Sequence, residues 1–340
     1  MRHPAIAFAV LAGLAALSLA LWLAPLWRGF DALRQLWPVW ALAAPLALAL
    51  AWPSRARWVR WAMVPLVAAI LAPGAGETLH HWREPQAQAN TAGFELRVAT
   101  HNMWGRNASP ERVVERLVAI DPDILALQES RNAAGTAGET LARLYPHAAR
   151  CRSTQILSRY EIVEAGCIRR PGPIDRTTAI PCDWEVPPAV WARIRLPDGS
   201  TPVVVSVHMT WPFPGPTQDC QRGGLIDALD RLPHERMIVM GDFNAAAPSV
   251  ALARMQGGLG LERRSIGIAT FPAEGRFEQA GWPTPPVPPM LLGIDHVFAG
   301  EDWETAIIGV GPNTGSDHRP LVATLRLRAT NLPPGRSKLP

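Results

Sequence analysis

The sequence predicts a mixed α/β layered domain carried behind about three membrane-crossing helices. Three observations point there. Long apolar runs are confined to the first 75 residues or so. From about Gly93 onward, short β-rich runs alternate with helical stretches and turns. Most of those β-rich runs are apolar throughout, the texture of a sheet covered on both faces. With 340 residues and 48% hydrophobic content, the chain could otherwise be one large soluble domain, and it is the distribution that decides.

From Pro4 to Leu26 only small and apolar residues occur, enough as a helix to cross about 30 Å of hydrocarbon. Arg2 and His3 precede this run as in a signal peptide, but its core is too long and two further apolar runs follow. These are Leu36 to Trp52 and about Trp61 to Pro73, containing Pro38, Pro45 and Pro65, which a membrane helix tolerates better than a soluble one. Residues 1–75 are therefore expected to form a membrane anchor, and residues 76–92 a linker. Arg55, Arg57 and Arg60 lie between the second and third runs, whereas the loop after the first has Arg28 and Arg34 beside Asp31. The positive-inside rule places the arginine-rich loop and the N-terminus in the cytoplasm. Three crossings then make a multi-pass protein of the cell's inner membrane, with everything after about residue 75 outside.

All four cysteines, Cys151, Cys167, Cys182 and Cys220, fall in that later portion. An even number fits an oxidising compartment; buried free thiols are the alternative, and three pairings are open. No CxxC spacing suggests zinc.

The expected domain runs over residues 93–329, a size one core can support, with residues 330–340 as a disordered tail. "ELRVATHNMW" and "DILALQE" read as strands, with Ser109 and Pro110 opening a helix between them that runs through Ile120. "VWARIRL", "TPVVVSVHM", "RMIVMGDF" and "GIDHVFAG" read as further strands. In "LVATLRLR", Leu321, Ala323, Leu325 and Leu327 fall on one side. "GWPTPPVPPM", Gly281 to Met290, is too rich in proline for regular structure and reads as a stiff loop.

Several strands end in a polar residue. Asn102 follows "RVATH", Glu129 follows "DILALQ", His208 follows "VVVSV", and Asp242 with Asn244 follows "RMIVMG". Asp295 stands in "GIDHVF", and Asp317 with His318 in "GSDHRP". Strand ends in layered α/β folds are rigid platforms where chemistry collects. Oxygen donors plus histidines, without thiolates, suit a hard cation such as Mg²⁺ or Mn²⁺. Any one of these residues is more simply a turn, cap or satisfied core residue; the set as a whole outweighs that.

"ATHNMW", "LALQES", "VHMTWP", "GDFNA", "IDHVF" and "SDHRP", in that order, resemble the endonuclease/exonuclease/phosphatase superfamily. The resemblance covers about residues 94 to 328. It implies a four-layered α/β sandwich, two packed mixed β-sheets flanked by helices; the transmembrane helices expected before it lie outside the resemblance. It also implies divalent-metal-dependent hydrolysis of phosphate esters. Glu129 would be the principal metal ligand, with Asn102 and Asp317 completing or supporting the metal site. Asp242 and Asn244 would position the attacking water and hold the phosphate. His318, paired with Asp295, would act as base or charge-stabilising donor, and His208 would donate to a phosphate oxygen. "GDFNAAAPS" and "GIDHVF" depart from the signatures of the inositol polyphosphate 5-phosphatase branch, so that subtype is not expected.

Residues 91–340 hold 26 Arg plus Lys against 26 Asp plus Glu, so the net +4 lies in the first 90 residues. The catalytic portion thus lacks the basic footprint of most nucleic-acid binders. Arg150 and Arg152, or Arg169 and Arg170, could form a local basic stripe, although ordinary surface arginines are the simpler expectation. Trp104 and Trp211 should lie near the mouth of the site. The expected substrate is a phosphate ester, from nucleic acid or a phospholipid head group, met by an enzyme that contacts the bilayer through its N-terminal helices and needs no obligate protein partner. A phosphodiesterase or nuclease activity leads, a sphingomyelinase-like phospholipid phosphodiesterase is the alternative, and an inactive scaffold is the third.

Overall fold

The computed structural model describes residues 4–52, 57–83, 93–107, 109–130, 136–169, 182, 186–213, 215–281 and 290–328. Arg55, Arg170, residues 84–92 of the expected linker, most of the proline-rich loop and the expected tail lie outside the described residues.

The N-terminal module comprises α1 (Pro4–Trp22), α2 (Arg28–Gln35), α3 (Trp37–Ala51), α4 (Arg57–Leu71) and α5 (Ala75–Arg83). Ala5–Trp22 and Arg57–His80 are each long and apolar enough to cross a membrane, and α2 with α3 form a pair bent by 73° that passes the same test together. Buried Ala7, Leu14 and Leu21 recur every seven residues along α1, facing Val59, Met63, Val67 and Ile70 of α4. The opposite faces leave Leu19, Leu42, Leu46, Leu50 and Trp61 exposed. Tryptophans mark two levels. At one, Trp22 and Trp37 donate their indole N–H groups to the carbonyls of Ala69 and Ile70, at 3.0 and 2.9 Å. At the other, Trp58 contacts Phe8, and Trp52 meets Trp61 and the Arg60 guanidinium.

The second part runs β1 (Glu95–Asn102), α6 (Pro110–Ile120), β2 (Ile124–Gln128), α7 (Thr136–Leu144), β3 (His147–Cys151), β4 (Thr154–Ser158), β5 (Ile162–Cys167), β6 (Ala189–Ile194), β7 (Val203–His208), α8 (Thr217–Leu229), β8 (Ile238–Asp242), α9 (Val250–Leu259), β9 (Glu262–Arg263), α10 (Glu274–Gln279), β10 (Asp295–Ala299), β11 (Trp303–Val310) and β12 (Leu321–Leu327). Two six-stranded sheets result, ordered β11-β12-β1-β2-β4-β3 and β5-β6-β7-β8-β10-β9. The apolar strands have both faces covered. Leu96 and Val98 of β1 and Ile124 and Ala126 of β2 face the other sheet, against Ala192, Val204, Ile238 and Met240. Their neighbours Ala99, Leu125 and Leu127 point outward under α6 and α7. In the second sheet, Val205, Val207 and Val239 lie beneath Leu225 and Leu229 of α8 and Leu252 and Met255 of α9. The layers are therefore helices, sheet, sheet, helices: the expected four-layered sandwich. Leu321, Ala323, Leu325 and Leu327 of β12 share the inter-sheet core as predicted. Ser109 does occupy the cap of α6, although its hydroxyl makes no capping bond.

The cysteines pair Cys151–Cys167 and Cys182–Cys220, which selects one of the three open pairings. The first bridge joins β3 to β5, edge strands of different sheets, and so closes one side of the sandwich.

Strand direction places the site. β1 runs parallel to β2 and β7 parallel to β8, while β12 and β10 run antiparallel beside them. The C-terminal ends of the four parallel strands and the N-terminal ends of the two antiparallel ones therefore meet at one end of the molecule. Asp242 is in register with both His208 and Asp295. Gly241 permits this, because at φ 151° a Cβ there would lie 2.0 Å from the Val207 carbonyl oxygen. No larger residue fits without moving β7.

Candidate active site

At that end all eight candidate residues face one cleft of about 660 Å³ or stand directly behind it. Asn102, Glu129, His208, Asp242, Asn244, Asp317 and His318 line it. Asp295 is fully buried behind His318.

Asp242 is the hub. Its Oδ2 accepts from Asn102 Nδ2 at 3.0 Å and Asn244 Nδ2 at 3.3 Å. His208 Nε2 and His318 Nε2 stand 3.7 and 3.9 Å from the same oxygen, beyond hydrogen-bonding distance. Its Oδ1 accepts from the Asn244 N–H at 2.9 Å, a side-chain turn that bends the chain back on itself. β8 ends at Asp242, and Asn244 lies beyond it at φ 48°. Strand alternation alone would set Asp242 and Asn244 on one face; in the fold this left-handed turn brings them together. Asn244 Nδ2 also donates to the Met209 carbonyl at 2.8 Å.

Glu129 follows β2 at φ 53°, a conformation that costs free energy for a residue of its kind and turns its carboxylate toward the cleft. Oε2 accepts from the Gly105 N–H at 2.6 Å and Oε1 from Asn102 Nδ2 at 3.2 Å. Asn102 receives the Trp104 N–H on its Oδ1 at 2.9 Å, which fixes the amide orientation. It therefore presents its NH₂ group, rather than its oxygen, to Glu129 and Asp242.

Asp295 Oδ2 takes His318 Nδ1 at 2.8 Å and the Thr270 hydroxyl at 2.5 Å, so the other imidazole nitrogen of His318 faces the cleft. Burial by itself would lower the His318 pKa, but the carboxylates of Asp295 and Asp242 push it up to about 10. Burial works to raise Asp295, yet the His318 charge and the hydrogen bonds of His318 and Thr270 hold it below the usual carboxylate range. Asp242 is raised by burial. Asp317 is pushed up to about 6, chiefly by burial, with Glu129 and Asp242 adding to the rise against His318.

These residues fit a divalent cation. Buried oxygens of Asp317 (Oδ1) and Asn244 (Oδ1) have no hydrogen-bond partner among the described residues. Carboxylates of Glu129, Asp242 and Asp317 crowd one cleft, and the donors are oxygens of the kind hard cations take. Asp242, Asp295 and His318 also group with ligand atoms within 4.8 Å of one another. There, however, the Asp295 Oδ2 and His318 Nδ1 atoms are already spent on each other, which makes that group an oriented histidine rather than a metal cage.

Sequence reasoning missed several cleft residues. Arg106 and Arg276 bring cationic side chains to the rim, and Thr210, Gln221 and Phe271 line it. Phe271 packs on the His318 ring at 5.0 Å. Thr210 lies within "VHMTWP", whereas Arg106, Gln221, Phe271 and Arg276 do not end an apolar run, so no sequence signal marks those four. Trp104 and Trp211 line the cleft as expected, whereas Arg150, Arg152 and Arg169 are not among the described lining residues.

The family model described as the Endonuclease/Exonuclease/phosphatase family matches residues 99–318. Among solved structures, an endonuclease/exonuclease/phosphatase from Bacteroides vulgatus is similar with a TM-score of 0.52 and 16% identity, over 69% of this chain and 100% of that one. A family protein from Bacteroides thetaiotaomicron gives 0.52 and 16% over 70% and 100%. One from Beutenbergia cavernae DSM 12333 gives 0.50 and 20% over 69% and 72%. At such identities the likeness is one of fold. No curated protein matches the chain in sequence. The family match spans well over half of the chain, begins within β1 and ends on His318, and so takes in every strand end just described. The chain belongs to the endonuclease/exonuclease/phosphatase family and is a hydrolase of that superfamily, whose members act on phosphate esters.

Proposed function

We propose that the chain is a divalent-metal-dependent phosphodiesterase of the nuclease type, tethered to the membrane with its catalytic domain outside the cytoplasm. The observation that carries this is the convergence of two imidazoles, three further carboxylates and two amides around Asp242 at one end of the sandwich. Glu129, supported by Asp317 and the Asn102 amide, would hold Mg²⁺ or Mn²⁺. When bound, the cation offsets charge on non-bridging phosphate oxygens. Asp242 and Asn244 orient the attacking water. His208 and His318 aim Nε2 at the space beside Asp242 Oδ2, where they meet charge developing on the phosphoryl group. Asp295 and Thr270 keep His318 in that orientation.

A phospholipid head group is the second substrate reading. It is favoured by the even charge balance of residues 91–340 and by the contact of the catalytic end with the N-terminal helices. Full-length protein with Mg²⁺, assayed on plasmid DNA, sphingomyelin vesicles and bis(4-nitrophenyl) phosphate, separates the readings. Turnover of the chromogenic diester together with plasmid supports the nuclease reading, and vesicle cleavage without plasmid cleavage supports the lipid one. Failure on all three, with folded protein, returns the chain to the scaffold reading.

Orientation has its own support. The start of α1 and the start of α4, with Arg57 and Arg60, lie at one tryptophan level, and the end of α1, the start of α3 and the end of α4 at the other. The catalytic domain follows α5 and contacts α2. This arrangement supports the arginines and the domain being on opposite sides, with the arginines inside by the positive-inside rule. Two disulfides in the domain fit an oxidising exterior. Alkaline phosphatase fused after about residue 90 is expected to be active. A dark phosphatase, with a fluorescent reporter that matures only in the cytoplasm lit at the same junction, reverses the orientation.

A further inference from the structure

The segment after the first membrane helix reads in the sequence as a short charged loop, but it folds as α2 and turns by 73° into α3. Two of its polar side chains are nearly inaccessible, Asp31 at 7% and Gln35 at 6% exposure. Both are spent on the catalytic domain, more than two hundred residues away in the chain. Gln35 Oε1 accepts from the Ala246 N–H at 3.1 Å. Asp31 accepts from the Val250 N–H on Oδ1 at 2.6 Å and from the Ala251 N–H on Oδ2 at 3.0 Å. These donors leave no choice of amide orientation for Gln35, since only an oxygen can receive an N–H.

The segment held this way is the one that carries Asn244. After Asp242 the chain runs Phe243, Asn244, Ala245, Ala246, Ala247, Pro248, Ser249 and then α9. Three consecutive alanines offer no side chain with which to fasten it. Asn244 sits at φ 48°, which persists only where the surroundings over-determine it. From the domain side, Gln218 Nε2 donates to the carbonyls of Phe243 and Asn244, at 3.2 and 2.9 Å, and His296 Nε2 bonds the Ala245 carbonyl at 2.9 Å. From the other side the fastening is α2. Ser249 caps α9 by accepting the Leu252 N–H, and Asp31 satisfies the two preceding first-turn donors, adding a carboxylate where a helix start favours negative charge.

We infer that α2 belongs to the catalytic apparatus: Asp31 and Gln35 are positioning residues that hold the Asn244–Ala251 loop, so that turnover depends on docking of the membrane module. The inference rests on the proposed hydrolytic role of Asp242 and Asn244. Neither Asp31 nor Gln35 touches the cleft; they act through Ala246, two residues from Asn244, and through the start of α9.

The test uses the full chain in lipid nanodiscs with Mg²⁺ and bis(4-nitrophenyl) phosphate, together with hydrogen–deuterium exchange of the 243–252 peptide. Gln35→Ala and Asp31→Ala should each lower kcat by about tenfold or more with KM little changed, since a small misplacement of a reacting group is costly. Deuterium uptake of the peptide should rise in both. Gln35→Glu, which keeps an accepting oxygen at that position, should restore both readouts toward wild type. Arg254→Ala removes another link between α9 and the membrane module, the guanidinium bond to the Pro25 carbonyl, and should move neither. Unchanged uptake in folded Gln35→Ala overturns the inference, as does raised uptake with wild-type kcat. If Asp31→Ala fails to fold, the Gln35 pair decides. If the wild type turns over no phosphodiester, the proposed function falls, and uptake alone then decides whether α2 holds the loop.

Discussion

Asp242→Asn and His318→Ala should each lower turnover by at least about a hundredfold, the scale on which positioned proton-transfer groups contribute. Asparagine keeps the size of Asp242 and one accepting oxygen, but it removes the charge that two imidazole nitrogens face at 3.7 and 3.9 Å. Alanine at 318 removes the ring that Asp295 and Phe271 hold in place. Single-turnover rates of folded variants on bis(4-nitrophenyl) phosphate check this, with circular dichroism and thermal unfolding as controls. Glu304→Ala, at a surface pair with Arg328 far from the cleft, should keep near wild-type rates.

Removal of the divalent cation should abolish turnover outright, and Mg²⁺ or Mn²⁺ should restore it. The expectation follows from Glu129, Asp242 and Asp317 sharing one cleft, with Asp317 pushed up to about 6 by burial and by its acidic neighbours. A cation there would offset the charge crowding from Glu129 and Asp242 that adds to the rise burial causes. Glu129→Gln should raise the Mg²⁺ concentration needed for half-maximal rate and weaken Mg²⁺ binding measured by calorimetry. Full activity after exhaustive chelation would sink the metal role.

Much of this molecule is legible before folding, for identifiable reasons. β1, β2, β7, β8 and β10 are apolar because helices cover one face and a second sheet the other, and that texture survives in the sequence as unbroken runs. β12 shows an alternation instead, because Leu321, Ala323, Leu325 and Leu327 face the other sheet while Val322 and Thr324 are only partly covered. The edge strand β5, "IVEAGC", has no buried residue to mark it, and β3, "HAARC", buries only Ala149 and Cys151. α8 was equally faint, since its buried face includes Gln218, Gln221 and Gly224. Asn102, Glu129, His208 and Asp242 stand out because in each a polar group ends an apolar run. Thr270, Gln218, Asp31 and Gln35 do not, since what each does is fixed by a partner 25 to 220 residues away. The left-handed backbone of Asn244 was hidden too: "GDFN" shows the residues, and only the Asp242 to Asn244 turn shows how they meet.

The most direct measurement is the double-mutant cycle joining Asp242 and His318. If the strand ends form one hydrolytic centre, Asp242→Asn/His318→Ala should lose far less than the product of the single losses, because groups that serve one step fail together. Near-normal turnover in both folded single variants, or losses that multiply in full, would contradict the account and leave the cluster as polar packing at one end of a sandwich.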